Sequence, residues 1–167
     1  MKRYIFIILS LVLSTFLIGC SQNNEESSSN SSEDEHEDHA HQSAADIREE
    51  TSGYDVLPAF LEEKSEDMQN IYTAAAAHKD LLEQIPCYCG CGESVGHRDN
   101  YDCFIHENKE DGSLVWDDHG TKCGVCLEIA AQSIVDFQDG KSVKDIREDI
   151  DSKYKEGYAE PTPTPEV

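Results

Sequence analysis

Residues 86–92 read Pro86-Cys87-Tyr88-Cys89-Gly90-Cys91-Gly92, three thiols on alternate positions framed by a proline and two glycines. What those sulfurs do decides how the surrounding domain is built. Proline disfavours helix in the residue before it, so the run begins where a helix stops, in irregular or extended backbone. In extended backbone, residues two apart point to one side, so Cys87, Cys89 and Cys91 would project together. Downstream, Cys123-Gly124-Val125-Cys126 opens an apolar-periodic stretch. A Cys-x-x-Cys at a helix start turns both sulfurs toward one point, and the helix N-terminus favours thiolate.

Between the two motifs lie Cys103 and the histidines His97, His106 and His119, so six cysteines and three histidines fall within 40 residues. Three chemistries use this set. Clustered thiolates with a few imidazoles select soft or borderline ions such as Cu(I), Zn(II) or Hg(II). The candidate ligands are Cys87, Cys89, Cys91, His97, Cys103, His119, Cys123 and Cys126. One ion takes about four ligands, so eight suit two ions, or one ion with disulfides fixing the rest. A redox reading gives Cys123 and Cys126 the loop length of a dithiol oxidoreductase, although no βαβ pattern surrounds them. A third reading makes three disulfides, in any of 15 pairings, of an exported interaction module.

Flanking periodicity predicts a mainly α domain of about three helices around a loop-rich Cys/His centre. Leu57, Phe60, Leu61, Met68, Ile71, Tyr72, Ala75 and Leu82 recur at three- and four-residue steps, which predicts one helix over residues 55–84. Cys126, Ile129, Ala130, Ser133, Ile134 and Phe137 predict a second over 124–138, closed by Gly140. Ser142 with Asp145 marks the start of a third, striped by Val143, Ile146, Ile150 and Tyr154. Residues 92–122 lack strong periodicity apart from one short strand at Ser113–Trp116, so sulfur chemistry rather than apolar packing is expected to hold them. Trp116 and Phe104 read as core anchors. Asp117 and Asp118, beside His119, read as a turn or as carboxylates that orient the imidazole.

The N-terminus places this domain outside the cytoplasm. Lys2 and Arg3 precede an apolar run from Tyr4 to Ile18, an export signal rather than a membrane span. It ends Leu17-Ile18-Gly19-Cys20, which resembles a lipobox, so residues 1–19 read as a lipoprotein signal peptide and Cys20 as the lipidated residue. Residues 20–53, rich in Ser, Glu and His, read as a disordered tether that lets the domain range about 30 Å from the membrane. Within it, His36, His39 and His41 alternate with acids, a weak collector for divalent metals or a solvated spacer. The domain itself spans 54–158, and 159–167 form a Pro-rich extended tail. The chain carries 13 basic and 35 acidic residues, a net charge of −22. That charge excludes nucleic acid as a partner and concentrates cations. No Gly-rich phosphate loop and no Ser/His/Asp signature is present, so carriage, storage or resistance is expected rather than catalysis.

Taken together, Pro86 to Gly92, Gly96-His97, Asn100 with Cys103-Phe104, His119 with Cys123-x-x-Cys126, and Gly140-x-Ser142 resemble the PCYCGC-motif (lipo)proteins. They are also similar to the CYCxC (seleno)proteins, in which selenocysteine takes a cysteine position. The resemblance covers residues 54–158. It implies an exported protein of Gram-positive bacteria and an active thiol or soft-metal centre, and it settles no activity. With the lipobox, it sets the expectation of a protein on the outer face of the cell membrane, binding copper first and zinc or mercury as alternatives, beside a metal-handling membrane protein as partner.

Overall fold

A computed structural model describes residues 45–167; the signal, Cys20 and most of the tether expected from the sequence lie outside them. The described chain is a mixed α/β domain, which corrects the mainly α expectation. Three strands form an antiparallel sheet in the order β1-β3-β2: β1 is Arg48–Thr51, β2 is Ile105–Asn108 and β3 is Leu114–Asp117. Five α-helices accompany them, namely α1 (Glu66–Ala77), α2 (Lys79–Leu82), α3 (Cys91–Ser94), α4 (Gly124–Gln138) and α5 (Val143–Tyr154). Among the described residues, no helix is long and apolar enough to cross a membrane.

The departure from a helical domain has a local cause. β1 reads Arg-Glu-Glu-Thr, polar throughout, and falls in the stretch expected to be tether. It gains its place by pairing Arg48 with Asp117 and Thr51 with Leu114 on β3, a partner more than sixty residues away. On the other edge β3 meets β2, and His106 is the extra residue where the register shifts between Ile105 and Glu107. That bulge leaves His106 exposed and outside the thiol cluster.

The helix expected over 55–84 is divided. Ser65, extended and accepting from the Met68 N–H, caps the start of α1. Helical dihedrals lapse at His78 (φ −118°, ψ 40°), and the short α2 follows. By contrast, α4 and α5 begin and end where periodicity and caps place them. Gly140 takes φ 90° after α4, and the Ser142 hydroxyl accepts from the Asp145 N–H at the start of α5.

α1 packs on α4, and α4 on α5. Their apolar stripes meet through Tyr72, Ala75, Ile129, Ala130, Ile134, Ile146 and Ile150, all buried. The layer continues into the sheet through Phe104 and Trp116, both fully buried. Tyr72 is the hinge pin of this contact. Its ring meets Phe104 edge-on at 5.0 Å, and its hydroxyl donates to the Asp117 carbonyl at 3.0 Å. Gly120 lies so close that an added Cβ would fall 2.8 Å from Phe104 and 2.9 Å from the Tyr72 hydroxyl. Residues 92–122 are therefore held by apolar packing, which corrects the expectation that sulfur chemistry would hold them in its place.

Candidate metal centre

The helical segment ending at Leu82 delivers the chain to Ile85 and Pro86, both buried, and the cysteine run enters the core at Cys87. The Asn100 N–H donates to the Ile85 carbonyl at 2.9 Å, and the Asn100 amide donates to the Cys126 carbonyl at 3.2 Å. Fully buried, Asn100 thereby ties the cysteine run to α4. Alternation in an extended strand is not what gathers Cys87, Cys89 and Cys91. Gly90 adopts φ 85°, a left-handed turn that glycine takes without strain, and Cys91 then begins α3. The three sulfurs converge by that turn, all within 4.8 Å of one another.

The first turn of α4 brings Cys126 to them. Cys87 and Cys89 sulfurs are 3.3 Å apart, and Cys126 lies 3.4 Å from each. Cys91 and Cys103 are 3.8 Å apart, and the Cys103 sulfur is 3.5 Å from His97 Nδ1. The His97 and His119 rings meet edge-on with centroids 4.7 Å apart. Besides Cys87-Cys89-Cys91, three overlapping Cys/His groups result, Cys91-His97-Cys103-His119, Cys87-Cys103-Cys126 and Cys89-His119-Cys126, with ligand atoms in each within 4.8 Å of one another. Among the described residues all six cysteines are free thiols; a disulfide needs sulfurs about 2.05 Å apart.

Seven of the eight candidate ligands thus meet in one place. Cys123 stands aside: it is half-buried, precedes α4 as its N-cap and belongs to none of the close groups. Cys87, Cys91, Cys103 and Cys126 are buried and His97 nearly so, whereas Cys89 and His119 reach the surface in part.

Two residues essential to the geometry escaped the sequence reading. One is Asp46, whose Oδ2 lies 3.1 Å from His119 Nδ1, while the neighbouring Asp117 carboxylate accepts from the His119 backbone N–H instead. Burial works against the Asp46 charge, yet bonds from Lys122 and His119 hold its carboxyl below the usual range. With Nδ1 engaged, Nε2 is the nitrogen His119 has free for the thiols, as in carboxylate–histidine–metal arrangements. The second is Thr162, in the Pro-rich tail. Its hydroxyl accepts from the Cys87 N–H at 2.9 Å and its own N–H donates to the Cys87 carbonyl at 3.0 Å. The tail is therefore packed along the cysteine run. No local pattern signals either contact, since their partners are 73 and 75 residues away.

Crowding sorts the thiols by acidity. The Cys103 thiol, then that of Cys126, pulls Cys87 down to about 4. Cys89 falls far below the ordinary thiol value because Cys103, Cys123 and Cys126 all donate toward it. Cys126 is pushed up, first through Cys103, and keeps its proton. The Cys89 thiolate, with help from Asp46, raises His119 to about 9, while burial and then the charge of His119 lower His97. Thiols that share protons in this way form a group that a cation can enter by displacing protons.

The family model described as a protein of unknown function with a PCYCGC motif matches residues 8–167, and the chain belongs to that family. No curated protein matches the chain. No solved structure matches it either.

Proposed function

Starting from membership of a family with no assigned activity, we propose that this protein binds a soft metal ion, copper as Cu(I) in the first place, and carries, stores or sequesters it. The binding residues are drawn from Cys87, Cys89, Cys91, His97, Cys103, His119 and Cys126, with Cys123 at the margin. One observation carries the reading: Cys87, Cys89 and Cys126, from two distant parts of the chain, hold free sulfurs 3.3–3.4 Å apart. Two of these thiols are already acidified. Gathering buried thiols without bonding them leaves a soft, cation-ready pocket, and soft thiolates favour Cu(I), Zn(II) and Hg(II) over hard ions. An acidic chain of net charge −22 draws cations toward it.

The location we propose is the outer face of the cell membrane. A lipidated Cys20 is the anchor, the segment after it the tether, and a metal-handling membrane protein the partner. Cys20 acylation is tested by mass analysis of the mature N-terminus, for which an unmodified Cys20 is the defeating result.

Protein prepared without oxygen is expected to hold copper after loading and dialysis. A Cys89→Ser/Cys126→Ser double variant is expected to hold almost none. Unchanged copper in that variant overturns the assignment. Thiol–disulfide exchange is the second reading, favoured by the half-buried Cys123 at the N-terminus of α4 with Cys126 one turn on. It predicts metal-free protein with one readily reduced Cys123–Cys126 bond, so thiol counting on the same preparation separates the two.

A further inference from the structure

The thiol cluster divides into two halves of different shape and chemistry. Around a tetrahedral ion with bonds of about 2.3 Å to sulfur and about 2.0–2.1 Å to nitrogen, sulfurs stand about 3.8 Å apart and sulfur–nitrogen pairs about 3.5 Å. Cys91 and Cys103 are 3.8 Å apart, and Cys103 and His97 Nδ1 are 3.5 Å apart. His119 completes a group of two sulfurs and two imidazoles. The second half has different spacing. Cys87, Cys89 and Cys126 form a near-equilateral triangle of 3.3–3.4 Å, thiol only, too tight to ring an ion in its own plane at about 2.3 Å. The three sulfurs would therefore hold an ion from one side rather than around it.

Each half has one ligand that reaches the surface in part, His119 in the quartet and Cys89 in the triangle. In the quartet, Cys91, Cys103 and His97 are closed off from solvent. The triangle is reached through Cys89, which is partly exposed, with half-exposed Cys123 beside it. The halves differ in ligand number instead: a four-ligand site leaves no open position and holds a structural ion, whereas a three-ligand site keeps one through which an ion can exchange. Ligand softness follows suit, because mixed Cys/His sets suit Zn(II) and all-thiolate sets suit Cu(I).

We infer that the cluster is two adjoining sites: Cys91, His97, Cys103 and His119 hold a structural Zn(II), and Cys87, Cys89 and Cys126 hold an exchangeable Cu(I). The division rests on the metal-binding reading above and refines it. The Zn(II) site fixes the turn after Cys91 and the Tyr101–Cys103 segment, so it presents the copper triangle without taking part in its exchange. Cys91, Cys103 and His119 also border the triangle, which makes them the wall between the ions.

Full-length protein prepared without oxygen, loaded with Zn(II) and then Cu(I), tests this directly. Elemental analysis is expected to give one ion of each. X-ray absorption at the zinc edge is expected to show two sulfur and two nitrogen neighbours, and at the copper edge sulfur alone. Cys91→Ser is expected to lose Zn(II) and leave Cu(I) stoichiometry unchanged, and Cys87→Ser to do the converse. Four sulfurs at zinc, or nitrogen at copper, overturns the division even if a variant fails to fold, because both spectra are read on the unaltered chain. A variant that folds and loses both ions together overturns it too, while leaving soft-metal binding intact. Protein that takes up neither ion defeats the metal-binding reading itself.

Discussion

Around α1, α4 and α5 the domain is held by interlocking apolar side chains, with Tyr72, Ile129, Ile146 and Ile150 each essentially inaccessible to water. Around α3 and the first turn of α4 the same depth of burial is spent on thiols and an imidazole. The difference is one of conditional stability. Apolar burial contributes about 25 cal/mol per Å² whatever the redox state or metal content of the medium. Thiols at 3.3–3.8 Å contribute through proton sharing, metal bonds or oxidation, and each of these depends on what surrounds the molecule. One half is a fixed frame and the other is a responsive centre mounted on it.

The largest effect is expected from breaking the frame where it meets the sheet. Trp116→Ala is expected to cost about 3–5 kcal/mol in urea unfolding, equally with and without bound metal. A loss that disappears on metal loading would mean the frame is not independent.

The next largest effect belongs to the responsive half. Metal at about a thousand times its dissociation constant is expected to add about 4 kcal/mol of stability, read as a rise in Tm, and chelation to remove it. Acidification is expected to release the metal, because protons compete for the thiolates that hold it. In a Cys87→Ser/Cys126→Ser variant the thermal shift on adding Cu(I) should be sharply reduced.

Asp46→Asn probes the link between the halves. It keeps the shape beside His119 Nδ1 and removes the charge. Metal affinity, measured by competition with a chelator, is expected to fall about 10- to 100-fold, with little change in metal-free stability. Equal losses in both measurements would make Asp46 a structural residue alone.

The smallest expected effect is that of Thr162→Val, which leaves the buried Cys87 N–H without its hydroxyl partner. We expect a cost of about 1–2 kcal/mol in thermal unfolding, confined to the cysteine-run side and visible as faster hydrogen exchange at Cys87 and Tyr88.

Several parts of this molecule were legible from residue order because their causes are local. The three- and four-residue rhythm of α4, the Ser142–Asp145 cap of α5 and the glycine after α4 each act within a turn or two. The pairing of the two cysteine motifs was legible too, since Pro86 ends a helical stretch and Cys126 sits in the first turn of the next long one. The tertiary structure alone decided the sheet, the role of the tail and the choice among the ligands. Arg48–Thr51 has no strand signal of its own and acquires one only by lying against β3. Asp46 reaches His119, and Thr162 reaches Cys87, across more than seventy residues. Spacing gave Cys123 and Cys126 equal standing, yet the path of α4 turns Cys126 into the thiol group and leaves Cys123 at its edge. Sequence order specifies what neighbours along the chain do to one another. Which distant groups share a pocket is set by how the packed elements cross, and that depends on every side chain between them.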